Sequence, residues 1–370
     1  MSEFSLSSEA GKVRDFLDII VNIIPSKSPI PLLQFVGLTT IDGKLTMHAT
    51  NAEGYIKIKT DIESFGSAAV DARSFRQRLG TYRATDKFTL ESDGKSATLK
   101  SGRSKFVMPV MPESDMPIMP NMQGISFTAS VSDFINPMQR VSISAAGVKE
   151  PRFFLQGVNV SVDFSRGENP LGIVATDGHR LAAIFNKSPA EDEFNIIIPN
   201  EIIPVICRIF EKSGDVHVII NKNMIKIFSG QVEFSAKLVD GTFPDFDRVI
   251  PELSEISATT STDDLNEVIR RVKTVDLIKA IGIKFEGCHI SVISDSNSYE
   301  EFTDEIAAAT SADSPDVGMK PDYVVDALRF YQADESLTIY IINETQPVVF
   351  KSNRDNEIHI IMPVRLTKKQ

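Results

Sequence analysis

Residues 256–275 read ISATTSTDDLNEVIRRVKTV. The opening residues alternate as a strand does, and then Leu265, Val268, Ile269 and Val272 fall at i, i+3, i+4 and i+7. That spacing is the buried face of an amphipathic helix. The same strand-into-helix opening occurs twice more, as FSLSSEAGKVRDFLDIIVNI at residues 4–23 and ISFTASVSDFINPMQRVSIS at residues 125–144. In the first of these, Val13, Phe16, Leu17 and Ile20 fill the helical template. Ser130–Asp133 and Thr262–Asp264 offer N-cap residues.

Each opening is followed, about 55–65 residues later, by a second helical stretch: VDARSFRQRLGTYRA from Val70, IPNEIIPVICRIFEKSG from Ile198 and MKPDYVVDALRFYQADE from Met319. Ile202, Val205, Ile206 and Ile209 match the template, as do Val324, Ala327, Leu328 and Tyr331; in the first stretch Phe75, Leu79 and Tyr82 fill it only partly. The rest alternates with period two, as in KLTMHAT, HVIINKNMIKIFSG and EIHIIMPVRL. Closing segments starting at Ser101, Ser229 and Ser352 also correspond, 128 and 123 residues apart. Chance alone produces strand–helix patterns, but six helices in matching order with matching strand ends argue for a repeat. The unit of about 125 residues is a whole domain rather than a solenoid repeat. The expected fold is α+β: three repeated domains, 1–124, 125–253 and 254–370, each with two helices packed on antiparallel sheet.

The chain has 370 residues, enough for three separate cores. No apolar run is long enough for a membrane helix, the N-terminus lacks the pattern of a signal peptide, and two cysteines cannot form a disulfide framework. The expected compartment is the reducing cytoplasm. Net charge is −11, which argues against indiscriminate nucleic-acid binding. The charge is uneven: +1, −4 and −8 over the three divisions. Two copies meeting end to end would therefore favour head-to-tail contact.

Catalytic and metal motifs are missing. There is no P-loop, HExxH, CxxC or GxSxG, and the five histidines stand without a second ligand at metal spacing. Asp177 beside His179 is a suggestive pair, but TDGHR also reads as a turn. Neither catalysis nor a cofactor or metal is expected. Arg73 and Arg76 share a helix face, joined by Arg83 if the helix survives Gly80; Arg270, Arg271 and Lys273 lie off an apolar face. Each could be a solvated surface charge; together they could make non-specific phosphate contacts.

SGRSKF at Ser101, RFFLQG at Arg152, VATDGHRLA at Val174, KLVDGTFPDFDRVIP at Lys237 and IIMPVRL at Ile360 stand in an order that resembles the bacterial sliding clamps, the β subunits of DNA polymerase III. The resemblance spans the whole chain. It implies the DNA-clamp fold, each chain forming half of a ring that closes head to tail as a homodimer around duplex DNA. The implied partners are the clamp loader, the replicative polymerase and repair proteins, bound through short linear peptides; the implied place is the cytoplasm, on the nucleoid.

Carried over residue by residue, the peptide groove comprises Leu155, Thr176, Gly178, His179, Arg180, Leu181, Pro244, Arg248, Val249, Ile360, Met362, Pro363, Val364 and Arg365. The DNA-facing residues are Lys27, Lys149, Arg152, Phe153 and Phe154, with Arg73 and Arg76 added from the charge pattern. The ring interface takes Phe106 and Met108 on one side. On the other side it takes Val275, with Val272, Leu277 or Ile278 as alternatives because Asp276 stands where the family has an apolar residue. Phe153 and Phe154 replace the usual tyrosines, and residues 367–370 extend past the usual end. Lys368 and Lys369 in that extension are expected to favour peptides with acidic flanks. Competing readings are a diverged clamp paralogue with other clients, an enzyme with a site between domains, and an all-β binding module.

Overall fold

The computed structural model describes residues 3–296, 300–331, 335–354 and 356–367. The extension residues Lys368, Lys369 and Gln370 lie outside the described residues. Among those described are six α-helices: α1 (Ala10–Ile20), α2 (Ala72–Leu79), α3 (Asn136–Val141), α4 (Ile203–Phe210), α5 (Thr262–Val272) and α6 (Pro321–Phe330). They occur where the apolar spacing places them, two in each third of the chain.

Local chemistry sets their ends. The α5 N-cap is Ser261, one residue before the expected Thr262; its hydroxyl accepts from Asp264 N at 3.0 Å. Asp71 caps α2 through Ser74 N at 2.7 Å. That helix stops at Gly80, so Arg83 does not join Arg73 and Arg76 on it. The helix expected from Ser130 begins instead as a π turn, Val131–Ile135, before α3. Pro137 has no N–H to donate into an α-turn, and the wider turn accommodates it. In α4 the fully buried face runs through Ile203, Ile206 and Phe210, and Val205 is half-buried.

Two compact units divide the chain, and the division runs through its middle third: Met1–Ile135 with Glu201–Leu238, and Asn136–Asn200 with Val239–Gln370. The first unit holds an eleven-stranded antiparallel sheet among the described residues. Its long strand Gly54–Asp71 pairs with Val232–Lys237 in the register Ile58↔Val232, joining strands of the first and middle thirds. The second unit holds sheets of nine and four strands among the described residues. There Arg180–Asn186 pairs with Glu357–Ile361, Leu181 opposite Ile360, joining middle and last thirds. Helix α3 packs on strand Leu171–Thr176, and α6 on Glu357–Ile361. The apolar faces of α5 and α6, including Leu265, Val268, Ile269, Val324 and Ala327, are fully buried.

Candidate functional site

The residues Thr176–Arg180 turn the chain between two paired strands of the second unit. Thr176 Oγ1 donates to Arg180 O at 2.6 Å and accepts from Gly178 N at 3.0 Å. Asp177 Oδ1 accepts from His179 N and Arg180 N at 2.9 and 3.0 Å. Gly178 has φ 87°, a left-handed conformation that a side chain would strain. The Asp177 carboxylate is thus occupied by turn amides and by Arg180 Nε at 3.1 Å, the role of a turn residue rather than a catalytic one.

The C-terminal segment meets this turn. Met362 N donates to His179 O at 2.8 Å, and Val364 N to Gly318 O at 2.8 Å. Beneath them Leu155, Leu181 and Ile360 are at most 3% exposed and share one apolar cluster with Phe243, Phe246, Val349 and Ile358. Met362, Pro363 and Val364 are half-buried, and Arg365 is exposed. Phe243 and Phe246 anchor the segment that carries Pro244, Arg248 and Val249, all three exposed. The arrangement offers an apolar floor with exposed apolar and polar groups above it.

Helix α6 contributes two residues that sequence reading passed over. The His179 ring stacks on Tyr323 at 6.4 Å, and the Arg180 guanidinium lies 4.7 Å over the same ring. Arg180 also pairs with Asp326 and is 11% exposed, so its charge is already matched. Tyr323 and Asp326 sit three apart on one helix face, a spacing visible in the sequence, but only tertiary structure brings that face to the turn. Phe243 and Phe246 lay inside the quoted TFPDFDR and were passed over for Pro244.

The strand Glu357–Ile361 presents Ile360 to the apolar cluster, while His359 is 0% exposed among core residues. Among the described residues neither ring nitrogen of His359 has a hydrogen-bond partner, and Phe330 meets the ring edge-on at 5.7 Å. Burial, aided by the Arg180 charge, pushes its pKa from 6.5 down to about 3. Unfolded, this imidazole binds a proton below pH 6.5; folded, it stays neutral to about pH 3. Its contribution is therefore whole above pH 6.5 and is lost as pH falls from there toward 3. At pH 4.5 the loss is about 2–3 kcal/mol. His359→Phe is expected to narrow the gap between urea midpoints at pH 7 and pH 4.5; an unchanged gap would assign the acid sensitivity to other groups.

The residues expected to face DNA fall in two sets. In the first unit, Lys27 is exposed, Arg73 Nη2 donates to Ile24 O at 2.7 Å, and Arg76 pairs with Asp18 at 2.6 Å. In the second, Lys149 is exposed and Arg152 pairs with Glu150 at 2.6 Å, holding that carboxyl below the usual range. Arg152 also lies over Gly178, where a Cβ would come within 3.2 Å of its guanidinium. Phe153 is 55% exposed, whereas Phe154 packs against the groove cluster.

The residues expected at a ring interface differ in exposure. Met108 and Val272 are 1% and 0% exposed, core side chains with no surface to offer, and Val275 is 9% exposed. Phe106 is half-buried, and the outward residues nearby are Val107 and Leu277, at 57% and 71%. Alternation along Ser104–Met111 explains this, since Met108 faces inward and Val107 outward.

Three family models match the chain in order. They are the DNA polymerase III beta subunit N-terminal domain over residues 9–120, central domain over 128–245 and C-terminal domain over 247–365. The beta sliding clamp of Pseudomonas aeruginosa is 24% identical over 360 residues, covering 95% of this chain and 96% of that protein. The Chlamydia muridarum beta sliding clamp is 24% identical over 354 residues, 94% and 95% of the two chains. Among solved structures, the P. aeruginosa sliding clamp bound to griselimycin matches with a TM-score of 0.91 at 21% identity, over 98% of this chain and 100% of that one. The Thermotoga maritima DNA polymerase III beta subunit matches at 0.87 and 22%, again over 98% and 100%. The fold is the three-domain clamp fold, α+β with its helices on antiparallel sheets.

Proposed function

The chain belongs to the DNA polymerase III β subunit family, the non-catalytic sliding clamps of DNA replication, and from that premise we propose that two copies close head to tail into a ring around duplex DNA. Lys27, Arg73, Arg76, Lys149 and Arg152 contact the phosphates of the duplex without reading sequence, with Phe153 and Phe154 lying against its backbone. The ring closes by strand addition. The strand Ser104–Met111 has a ladder partner on one side only over residues 104–109, among the described residues. Thr303–Ala307 is a second open edge, paired among the described residues with His289–Ile293 alone. Lys105 on the first edge and Asp304 and Glu305 on the second supply opposite charge. Phe106 and Leu277 are the apolar contacts, while Met108, Val272 and Val275 shape these edges from within. The protein works in the cytoplasm, on the nucleoid.

The groove built on Leu155, Leu181, Ile360 and Met362 docks short linear peptides of the clamp loader, the polymerase and repair proteins. One observation carries this reading: the strands flanking the turn at His179, the Phe243–Phe246 segment and the strand Glu357–Ile361 that leads into Met362 converge on a single apolar cluster, from three distant parts of the chain. Met362 suits a site with several clients because its side chain repacks. The residue is half-buried, which leaves side-chain surface for a Leu or Phe tail to contact. Met362→Ala is expected to cost about 1–3 kcal/mol of peptide binding, measured by fluorescence anisotropy, and to leave the dimer mass unchanged. Unaltered affinity would remove Met362 from the site and the groove reading with it.

A further inference from the structure

We propose that Arg166 is a positioning residue for the peptide groove: it clamps the segment Phe243–Ile250 in its docking-competent shape through Asp247 and Phe246. The inference rests on the groove reading above. That segment has no strand or helix of its own, so its shape depends on what grips it. Internally, Val249 N and Ile250 N donate to Phe246 O at 2.9 and 3.3 Å, and Arg248 pairs with Asp245 at 2.7 Å. These contacts shape the segment without attaching it to the sheet.

Burial of Phe243 and Phe246 anchors the segment, and a polar attachment comes from a turn distant in sequence. Asp163 Oδ1 accepts from Ser165 N and Oγ at 2.9 and 2.6 Å, and Glu193 Oε1 accepts from Phe164 N at 3.0 Å. This fixes the short turn Phe164–Arg166 and directs the Arg166 side chain inward, where it is 15% exposed. Its Nη2 and Nε donate to the two oxygens of Asp247 at 3.0 and 3.4 Å. Its Nη1 donates to Ser161 Oγ at 3.2 Å and Pro170 O at 3.4 Å. The guanidinium plane lies 4.9 Å over the Phe246 ring, which is itself 5% exposed in the groove cluster. Gly172 makes room, since a Cβ there would stand 3.1 Å from Arg166 Nη1. One side chain thus joins two neighbouring residues of the segment to the sheet, by a forked ion pair and by ring stacking. Asp247 and Phe246 lie between Pro244 on one side and Arg248 and Val249 on the other, so the clamp sets where those exposed groups stand. A rim held in place before docking spares the peptide the entropy of ordering it.

The probe is a fluorescein-labelled peptide with a Gln head and a Leu-Phe tail, titrated against the full-length protein. Arg166→Gln and Asp247→Asn should each weaken binding about fivefold. Asp247 is half-exposed, so its variant keeps the fold even if Arg166→Gln does not. Amide exchange should quicken at Val249 and Ile250 and stay unchanged across the rest of the second unit. The charge-swapped pair Arg166→Asp with Asp247→Arg should recover at least half of the lost affinity on a logarithmic scale. Native affinity in Asp247→Asn, with Met362→Ala still weakened, would overturn the clamp and leave the groove standing. Native affinity in Met362→Ala as well would overturn both. Faster exchange throughout the unit without rescue by the swap would make Arg166 a general stabiliser and overturn the proposal.

Discussion

Phe106→Ala is expected to sediment at 40.9 kDa at sub-micromolar concentration, where the native protein should give twice that mass. Phe106 lies on the open edge of Ser104–Met111, half-buried in the isolated chain. Its ring meets Tyr82 edge-on at 6.5 Å and carries the Arg78 guanidinium at 5.6 Å, so it is held ready against its own unit. A second copy adding a strand along this edge would cover the rest of the ring. Truncation then removes about 3 kcal/mol of buried contact, by analogy with large-to-small changes in cores. A head-to-tail ring holds two such junctions, so the loss is about 6 kcal/mol and the dimer is weakened roughly 10⁴-fold. If the variant still sediments at the doubled mass under these conditions, the ring closes through some other surface.

The second large effect is expected from Arg140→Ala. Arg140 donates from Nη1 and Nη2 to the two carboxylate oxygens of Glu357, at 2.5 and 2.6 Å. Nε and Nη2 also reach Phe330 O, at 3.2 and 2.8 Å, and the guanidinium sits 4.7 Å over the Phe330 ring. Phe330 O belongs to the C-terminal turn of α6, where a cation is favoured. The Glu357 side chain is 5% exposed, so removing Arg140 leaves a buried carboxylate whose remaining ion-pair partner among the described residues is Arg354 at 3.3 Å. Breaking a buried pair from one side costs about 3–5 kcal/mol. For a unit of this size, 3 kcal/mol lowers the melting midpoint by roughly 6–12 °C. The double change Arg140→Met with Glu357→Leu should recover part of the loss, because neither charge is then stranded. A midpoint for Arg140→Ala within 1 °C of native, by scanning calorimetry, would show that Arg354 alone neutralises Glu357.

Much of the fold could be read from spacing. The helical template in Leu265–Val272 and Val324–Tyr331 matched buried faces residue for residue, because an amphipathic helix writes its burial into a local period. Pro137 was legible too, but its effect, a π turn in place of a first α turn, depends on how the chain rewinds around it. The groove segments were recognisable through resemblance, as TDGHR, FPDF and MPV. Their partners were not. Tyr323, Asp326 and Arg166 act through pairings with residues 81 to 146 positions away, and such pairs leave no local signature. For the expected ring interface, strand alternation places Met108 inward, where the family correspondence alone would make it a contact.

The sheet junctions bear on how the chain folds as it is made. Ile58 pairs with Val232, and Ile184 with Glu357, each across more than 170 residues. At about 5–20 residues per second, the ribosome delivers each late strand roughly 10–35 s after its partner. In that interval the waiting edge, Tyr55–Ile58 first and Arg180–Ile184 later, has its backbone groups bared to whatever strand arrives. A nascent chain further along the same messenger has already made the matching strand. Strand exchange between sister chains is therefore the characteristic hazard of this architecture during translation.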